Sequence, residues 1–374
     1  MTHPDVIVVG AGMVGAWTAL GLAERGLRVL VVERAFAGAG STGAAMGHLV
    51  VMDDTPAQLA LCRHSVSRWH EIAPTLDARA EFDRAGTLWL AASDNEQQAA
   101  VAKCALYREA GLAAEVLDAA ALAEAEPALA EGLAGGLRIP GDAICYPPSV
   151  ARELLQRAVV RGARCITADV AAIEPGGIHC VDGSRHATAH VVVAAGPDST
   201  ALVPGLPVMP RRGHLVITER GPRLVQHQLV ELGYLHSAHT LGGASVAFNV
   251  QPRTTGQLLV GSSRELVGFA AGINRPLVAA MLARATERVP VLASLRVVRC
   301  WTGFRPATPD ALPLIGAWPS IPGAWIATGH EGLGITLAPA TADLIVAGIT
   351  GERPAIDPSP YDPTRPMPSL EQAA

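Results

Sequence analysis

Residues 5–9, Asp-Val-Ile-Val-Val, form a short β-branched run that opens straight into Gly10-Ala11-Gly12-Met13-Val14-Gly15 and a helix-patterned stretch, which predicts an α/β fold with a buried parallel sheet. Two further observations support the same class. A second apolar strand at 27–33 ends on an acid, Glu33, and a strand, glycine-rich turn and helix recur far down the chain at 325–348.

The helix after the first turn places Trp17, Leu20 and Ala23 at helical spacing and stops at Gly26, a residue suited to the left-handed position after a helix. A G-x-G-x-x-G alone is weak evidence, because glycine-rich turns are common. Here it follows a strand, opens a helix and precedes an acid at the end of the next strand, the context a Rossmann-type dinucleotide site requires. Gly10 permits the tight turn, Gly12 lets the backbone approach a pyrophosphate, and Gly15 lets helix and strand pack closely. Met13 and Val14 begin the helix, whose N–H groups and partial positive charge suit phosphates. Glu33 is expected to accept hydrogen bonds from an adenosine ribose rather than to be a surface acid beside Arg34. Residues 38–48 are small and uncharged up to His48. Their backbone N–H groups and the hydroxyls of Ser41 and Thr42, with Gly43, Met46 and Gly47, can line an extended cofactor. The apolar run 49–52 argues against a flexible linker. The turn by itself does not separate NAD from FAD.

Residues 190–196 read as another strand of the same sheet, meeting the cofactor at its carboxyl end. Strand-like segments at 215–218, 245–250 and 257–260 are separated by turn residues, the Ala-rich stretch 95–134 reads as helices, and the Pro- and Asp-rich tail 354–374 reads as extended on the surface. A chain of 374 residues can form one large or two interlocked domains. With 49% hydrophobic and 17% charged residues, a large share must be buried, in part against a cofactor or partner. A net charge of -5 without a run of Lys or Arg excludes nucleic acid as a partner. Six cysteines with no C-x-x-C pair offer neither a zinc site nor an iron–sulfur cluster, so no metal is expected and the thiols should be reduced and mostly buried. The start of the chain lacks the pattern of a signal peptide, and no stretch of about 18 uninterrupted apolar residues occurs. A cytoplasmic protein with no transmembrane segment is expected.

Taken together, the 10–15 turn with Glu33, Ala195-Gly196-Pro197, Gly256-Gln257-Leu258-Leu259-Val260-Gly261, the 301–310 run Trp-Thr-Gly-Phe-Arg-Pro-Ala-Thr-Pro-Asp, and Gly329-His330-Glu331-Gly332-Leu333-Gly334-Ile335 resemble the amino-acid-oxidase (DAO-type) family of FAD-dependent oxidoreductases. That group includes glycine oxidase, sarcosine oxidase and D-amino acid dehydrogenase. Within it, the last two motifs and residues 46–54 most resemble the flavin subunits of bacterial hydroxyproline and opine dehydrogenases, with the hydrogen cyanide synthase flavin subunit a near neighbour. The resemblance spans nearly the whole chain. It implies non-covalent FAD in a Rossmann-type, glutathione-reductase-like domain assembled from 1–60, 146–205 and 300–374. Intertwined with it would be an α+β substrate domain from 61–145 and 206–299, built on a mostly antiparallel sheet. Further cofactor contacts are implied at Val170, Ala195, Gly196, Gly303, Gly329, His330, Gly332, Leu333, Gly334, Ile335 and Thr336.

FAD carries the redox chemistry, so no catalytic side chain is required beyond the flavin, and the protein need only place a substrate Cα–H near flavin N5. Arg305 is expected to anchor the substrate carboxylate with its planar fork of donors; a structural salt bridge to Asp310 is the alternative. Arg253 and Arg211 are the next candidates. Where glycine oxidase-like sequences carry a tyrosine and a second arginine, this chain reads Phe248-Asn249-Val250 and Glu331-Gly332. Substrate recognition must therefore differ, leaving Asn249, Glu331 and His48 as polar groups for it, with His330 at the cofactor. The expected substrate is a small secondary amino acid, D-hydroxyproline or another proline-like imino acid, oxidised to its imine. Electrons would pass to a quinone or to partner subunits carrying iron–sulfur clusters or a second flavin, in a hetero-oligomer able to associate peripherally with a membrane. An opine or D-amino acid oxidase or dehydrogenase subunit is one alternative. A non-catalytic electron-transfer or assembly subunit is another, though a pure carrier needs no carboxylate clamp. A nicotinamide-dependent transferase would need a second nucleotide site, and no such motif is found.

Overall fold

In the computed structural model, which describes residues 3–233 and 244–368, the first apolar run forms the centre of a six-stranded sheet. Val6–Val9 pairs in parallel with His190–Val193 on one side and Val29–Glu33 on the other. Ala324–Thr328 and Arg164–Thr167 extend the parallel arrangement, and Leu314–Ala317 closes one edge antiparallel. Val6, Ile7 and Val8 have no exposed surface, which is why this strand is continuously β-branched rather than alternating. The helices Met13–Glu24 and Gly334–Thr350 pack side by side over one face, each entered from the carboxyl end of a sheet strand.

The second sheet has eight strands in the order Val297–Ala307, Met209–Thr218, Leu258–Arg264, Ser245–Pro252, Gln228–Glu231, Thr87–Ala91, Gly135–Ile139 and Glu115–Asp118. All neighbours are antiparallel except Gln228–Glu231 with Thr87–Ala91. A two-stranded ribbon, His48–Leu49 with Ala143–Ile144, and a three-stranded meander over Val170–Glu174, Gly177–Cys180 and Arg185–Ala187 complete the sheets.

Three expectations need correction. The 301–310 run, grouped with 300–374 in the cofactor domain, lies mostly in the edge strand of the eight-stranded sheet, where pairing with Met209–Thr218 along its length outweighs its position in the chain. The Ala-rich 95–134 stretch is not all helical: Glu115–Asp118 is a strand between the helices Asp94–Glu109 and Ala119–Ala125. The tail is extended but anchored through residue 368. Tyr361 is buried with its hydroxyl donating to Ala57 O at 2.6 Å, and Arg365 grips Asp310. All six cysteines are free, four of them buried. Among the described residues no helix is long and apolar enough to cross a membrane, and no group of three His, Cys, Asp or Glu is placed to hold a metal.

Candidate functional site

Between the two sheets lies a cavity of about 920 Å³, near the upper limit of roughly 300–1,000 Å³ for small-molecule sites, which suits a large ligand with a small one beside it. Its nucleotide end is built from the first strand, turn and helix. Gly10 has φ 103°, and a Cβ there would fall 2.5 Å from Ala194 O; one on Gly15 would fall 2.0 Å from Gly10 O. Both glycines are demanded by packing. Gly12 is different: its backbone is extended, and a Cβ would meet only Thr42 Oγ1, at 3.1 Å, so the missing side chain leaves space in the cavity wall.

The Met13–Glu24 helix has no acid in its first turn and no capping bond from its N-cap side chain, so its positive end is available to an anion. Met13 and Val14 line the cavity. Glu33 is fixed by accepting from Ala11 N at 2.7 Å and Ala35 N at 2.9 Å, with Val170 lining the same cavity. Arg34 also lines it, although its guanidinium pairs with Asp198 at 2.7 Å.

The 38–48 segment is a correction in detail. It contains a short helix, Gly40–Ala44, and both hydroxyls serve the protein: Ser41 Oγ donates to Phe304 O at 2.6 Å, and Thr42 Oγ1 accepts from Met13 N at 2.9 Å. Ser41, Thr42, Met46, Gly47 and His48 line the cavity, whereas Gly43 does not and is exposed. Gly329 and Thr336 are also outside the lining. Gly329 makes a left-handed turn against Thr308, and Thr336 Oγ1 donates to His48 O and accepts from Val50 N. Arg253 is removed from the substrate candidates, because it is buried with Nη1 on Cys145 O at 2.9 Å and Nη2 on Glu81 at 2.7 Å.

At the other end, Ala195, Gly196, Gly303, Leu333, Gly334 and Ile335 line the walls, the last three around the start of the second helix, which again has no acid in its first turn. Arg305 does not pair with Asp310, which Arg365 holds at 2.8 and 2.9 Å. Its Nη1 donates to Ser263 O at 3.0 Å, and its guanidinium lies over Gly213, where a Cβ would be 2.3 Å from Nη1. Arg211 stands directly across the ladder from Arg305, a like-charge pair that would be destabilising without a counter-charge. Glu331 Oε1 supplies one, 3.5 Å from Arg211, 3.8 Å from Arg264 and 4.0 Å from Arg305. Burial opposes ionisation of Glu331, but Arg264, Arg305 and Arg211 outweigh it and hold the carboxyl below its ordinary range. Its left-handed backbone, φ 47°, is stabilised by Gly332 N donating to Oε2 at 2.5 Å.

Asn249 lines the same cavity, is 9% exposed, and its Oδ1 has no hydrogen-bond partner among the described residues. Burial, followed by the charge of Arg253, lowers His48 to about 4. Burial lowers His330 to about 3. Both imidazoles are neutral at pH 7. Arg264 was not foreseen from the sequence. The signal for it is the alternation of Ser262 and Arg264 onto the cavity face of a strand, which becomes informative only once that strand's neighbours are known.

The open space at Gly12, a helix start with no acid in its first turn, the oriented Glu33 and the size of the cavity fit FAD. A model of the FAD dependent oxidoreductase family matches residues 5–347. The chain belongs to this family. It is an enzyme that uses FAD. It is 29% identical over 383 residues to glycine oxidase of Geobacillus kaustophilus, covering 98% of each chain. The crystal structure of glycine oxidase from that organism superposes with a TM-score of 0.87 at 28% identity, covering 98% of this chain and 100% of the other. L-proline dehydrogenase from P. horikoshii superposes with the same TM-score at 22% identity over 97% of both chains, a likeness of fold. Glycine oxidases of Pseudomonas putida and Pseudomonas aeruginosa are likewise 29% identical, each over 96% of this chain and 98% of theirs.

Proposed function

We propose that this enzyme oxidises the Cα–N bond of a small amino acid bearing a secondary amine, D-hydroxyproline or another proline-like imino acid, to the imine. The observation that carries this reading is the presence, in one cavity wall, of an oriented guanidinium and a buried unpaired acceptor. Arg305 would take the substrate carboxylate through a two-pronged contact, and Asn249 Oδ1 would accept an N–H from the amine. Glu331 keeps the neighbouring arginines from repelling one another and stays anionic, where it would favour a cationic amine or iminium. FAD, when bound, supplies the hydride acceptor. The residues that would hold it are Gly12, Met13, Val14, Glu33 and Val170 at the nucleotide end, with Leu333, Gly334 and Ile335 at the other. In this reading the FAD domain draws on 1–60, 146–205 and much of 308–374, and the eight-stranded sheet carries the substrate side.

A second reading is favoured by the relatives: a glycine-oxidising enzyme that works alone and passes electrons to oxygen. The departures at Asn249 and Glu331 weigh against glycine as substrate. The two are separated by anaerobic titration of the purified protein with D- and L-amino acids, imino acids and N-carboxyalkyl amino acids, followed by the flavin spectrum. Bleaching by a proline-like compound, with dye- or quinone-linked turnover exceeding peroxide formation, is the expected result and would support electron transfer to partner subunits. Bleaching by glycine with rapid peroxide release would establish the second reading instead.

A further inference from the structure

Behind His48 runs a row of buried polar side chains that nothing above uses. Gln228 and Gln251 are cross-strand neighbours, one step from the Leu229–Val250 pair, and Thr87 faces Gln228 on the other side. Thr87, Gln228, Gln251 and Asp142 have no exposed surface at all. Gln228 Nε2 donates to Thr87 Oγ1 at 3.2 Å and to Ala143 O at 3.0 Å. The Thr87 hydroxyl supports the Asp142 carboxylate, whose Oδ1 accepts from Val51 N at 3.2 Å. At the cavity end, Ala143, whose carbonyl takes that Gln228 bond, lies in the two-stranded ribbon beside Ile144, the residue paired with His48.

Four polar atoms in this row have no hydrogen-bond partner among the described residues: Gln228 Oε1, both amide atoms of Gln251, and Asp142 Oδ2. Each such group costs on the order of 1–3 kcal/mol if left unsatisfied. Four in one row are unlike an ordinary core, where buried water meets such needs with about three hydrogen bonds per molecule.

We propose that this row is a water-bridged path along which the proton of the substrate ammonium leaves the cavity, past His48 and through the Gln251–Gln228 pair and Thr87, to the Asp142 carboxylate. The proposal rests on the amine-oxidation reading above. The ammonium N–H bond breaks with its electron pair left on nitrogen, and the proton is taken up by Asp142. The nitrogen pair so freed can form the C=N bond as the Cα–H pair leaves as hydride, for which FAD, when bound, would supply the acceptor, and Asp142 returns its proton along the same row after turnover.

The groups facing the path agree. Burial pushes the Asp142 carboxyl up to about 7, against the pull of Thr87, Val51 N and Lys103. Around it stand the Lys103–Asp53 ion pair, Asp54, Cys62 and Tyr107, with His70 bonded to the adjacent Gly141 O. Arg253 faces His48 at the other end. A carboxylate poised near neutrality can take and return a proton at working pH; His48, His330 and the arginine-held Glu331 cannot.

The test begins with infrared titration of the FAD-loaded enzyme without substrate. A protonated-carboxyl band should fade as pH rises through about 7 and be missing in Asp142→Asn. In anaerobic stopped-flow, the wild-type rate of flavin reduction should fall roughly tenfold per pH unit below that point. Asp142→Asn should lose the inflection and be slowed about 100-fold or more at pH 8. Gln251→Leu, which leaves the carboxylate in place but removes two of the four unpaired polar atoms, should slow reduction in the same direction while keeping the infrared band. Absence of a carboxyl band titrating near neutrality, or an Asp142→Asn enzyme with the wild-type rate and inflection, would overturn the path. Failure of every amino acid to reduce the flavin would instead sink the amine-oxidation reading, and the infrared titration would still report on Asp142.

Discussion

Arg305 can lie flat in the cavity wall because Gly213, on the neighbouring strand, has no side chain to displace it. Losing one partner of a buried charge pair costs on the order of 2–5 kcal/mol, so Arg305→Ala should lower kcat/KM by roughly 30- to 5,000-fold with FAD still bound. Arg305→Lys should recover only part, because an ammonium cannot make the two-pronged contact. Gly213→Ala should push the guanidinium off Ser263 O and reproduce part of the loss with the charge intact. Anaerobic flavin reduction measured beside FAD content checks all three, and a normal rate in Arg305→Ala would move the anchor to Arg211. His330 is a different kind of residue. Its Nε2 meets Thr341 Oγ1 at 2.9 Å, and that hydroxyl donates to Leu337 O, so the ring is neutral with its proton on Nε2. With a folded value of about 3 against an ordinary 6.5, the unfolded chain binds more protons between those pH values. The stabilising contribution is full above about 6.5 and is lost as pH falls towards 3. Asp142, shifted upward, works in the opposite sense, so the comparison must be with a variant: the drop in urea midpoint from pH 7 to pH 5 should shrink in His330→Gln. An unchanged drop would mean that His330 is not the group responsible.

The first strand–turn–helix unit makes a sharper distinction between glycines than its motif does. Gly15 faces Gly10 O and Gly12 faces the cavity, so Gly15→Ala should lower both thermal stability and FAD content, whereas Gly12→Val should fold but fail to retain FAD. Melting temperature and released FAD, read together, separate the two; normal FAD in Gly12→Val would leave the turn a packing device only. This unit was legible because its strand period, its glycine turn and the acid at the end of the next strand all fall within residues 5–33, even though Gly10 also packs against Ala194 O and Met13 N is held by Thr42. The substrate wall was less so. Arg305 could be singled out as a cation in an apolar run, but that it lies over Gly213, opposite Arg211 and near Arg264, depends on strand register across residues far apart in sequence. The strand Glu115–Asp118 was hidden for a similar reason. Four residues among alanines carry no period of their own, and pairing with Gly135–Ile139 decides their conformation. Ser41 and Thr42 line the cavity, yet their hydroxyls answer to Phe304 O and Met13 N, partners that adjacency in the chain does not reveal.

At the scale of the molecule, the cavity is walled by both large sheets: Gly12 and Glu33 come from one, Asn249 and Arg305 from the other. A ligand filling it touches both, so binding should stabilise them as one unit rather than one half alone. Since FAD binds the folded chain, an excess of about 1,000 times Kd adds about 4 kcal/mol. Unfolding entropy of about 2.1 cal/mol/K per residue makes this worth about 5 °C for a chain of 374 residues. Calorimetry of the protein stripped of FAD and then titrated back should therefore show a single transition moving upward by about that amount. Two transitions, only one of which moves, would mean that the sheets unfold separately and that the cofactor is held by the six-stranded sheet alone. In that case the Arg305 wall would owe nothing of its stability to the cofactor, and the loss of FAD would leave substrate-side variants such as Gly213→Ala with the same melting temperature as before.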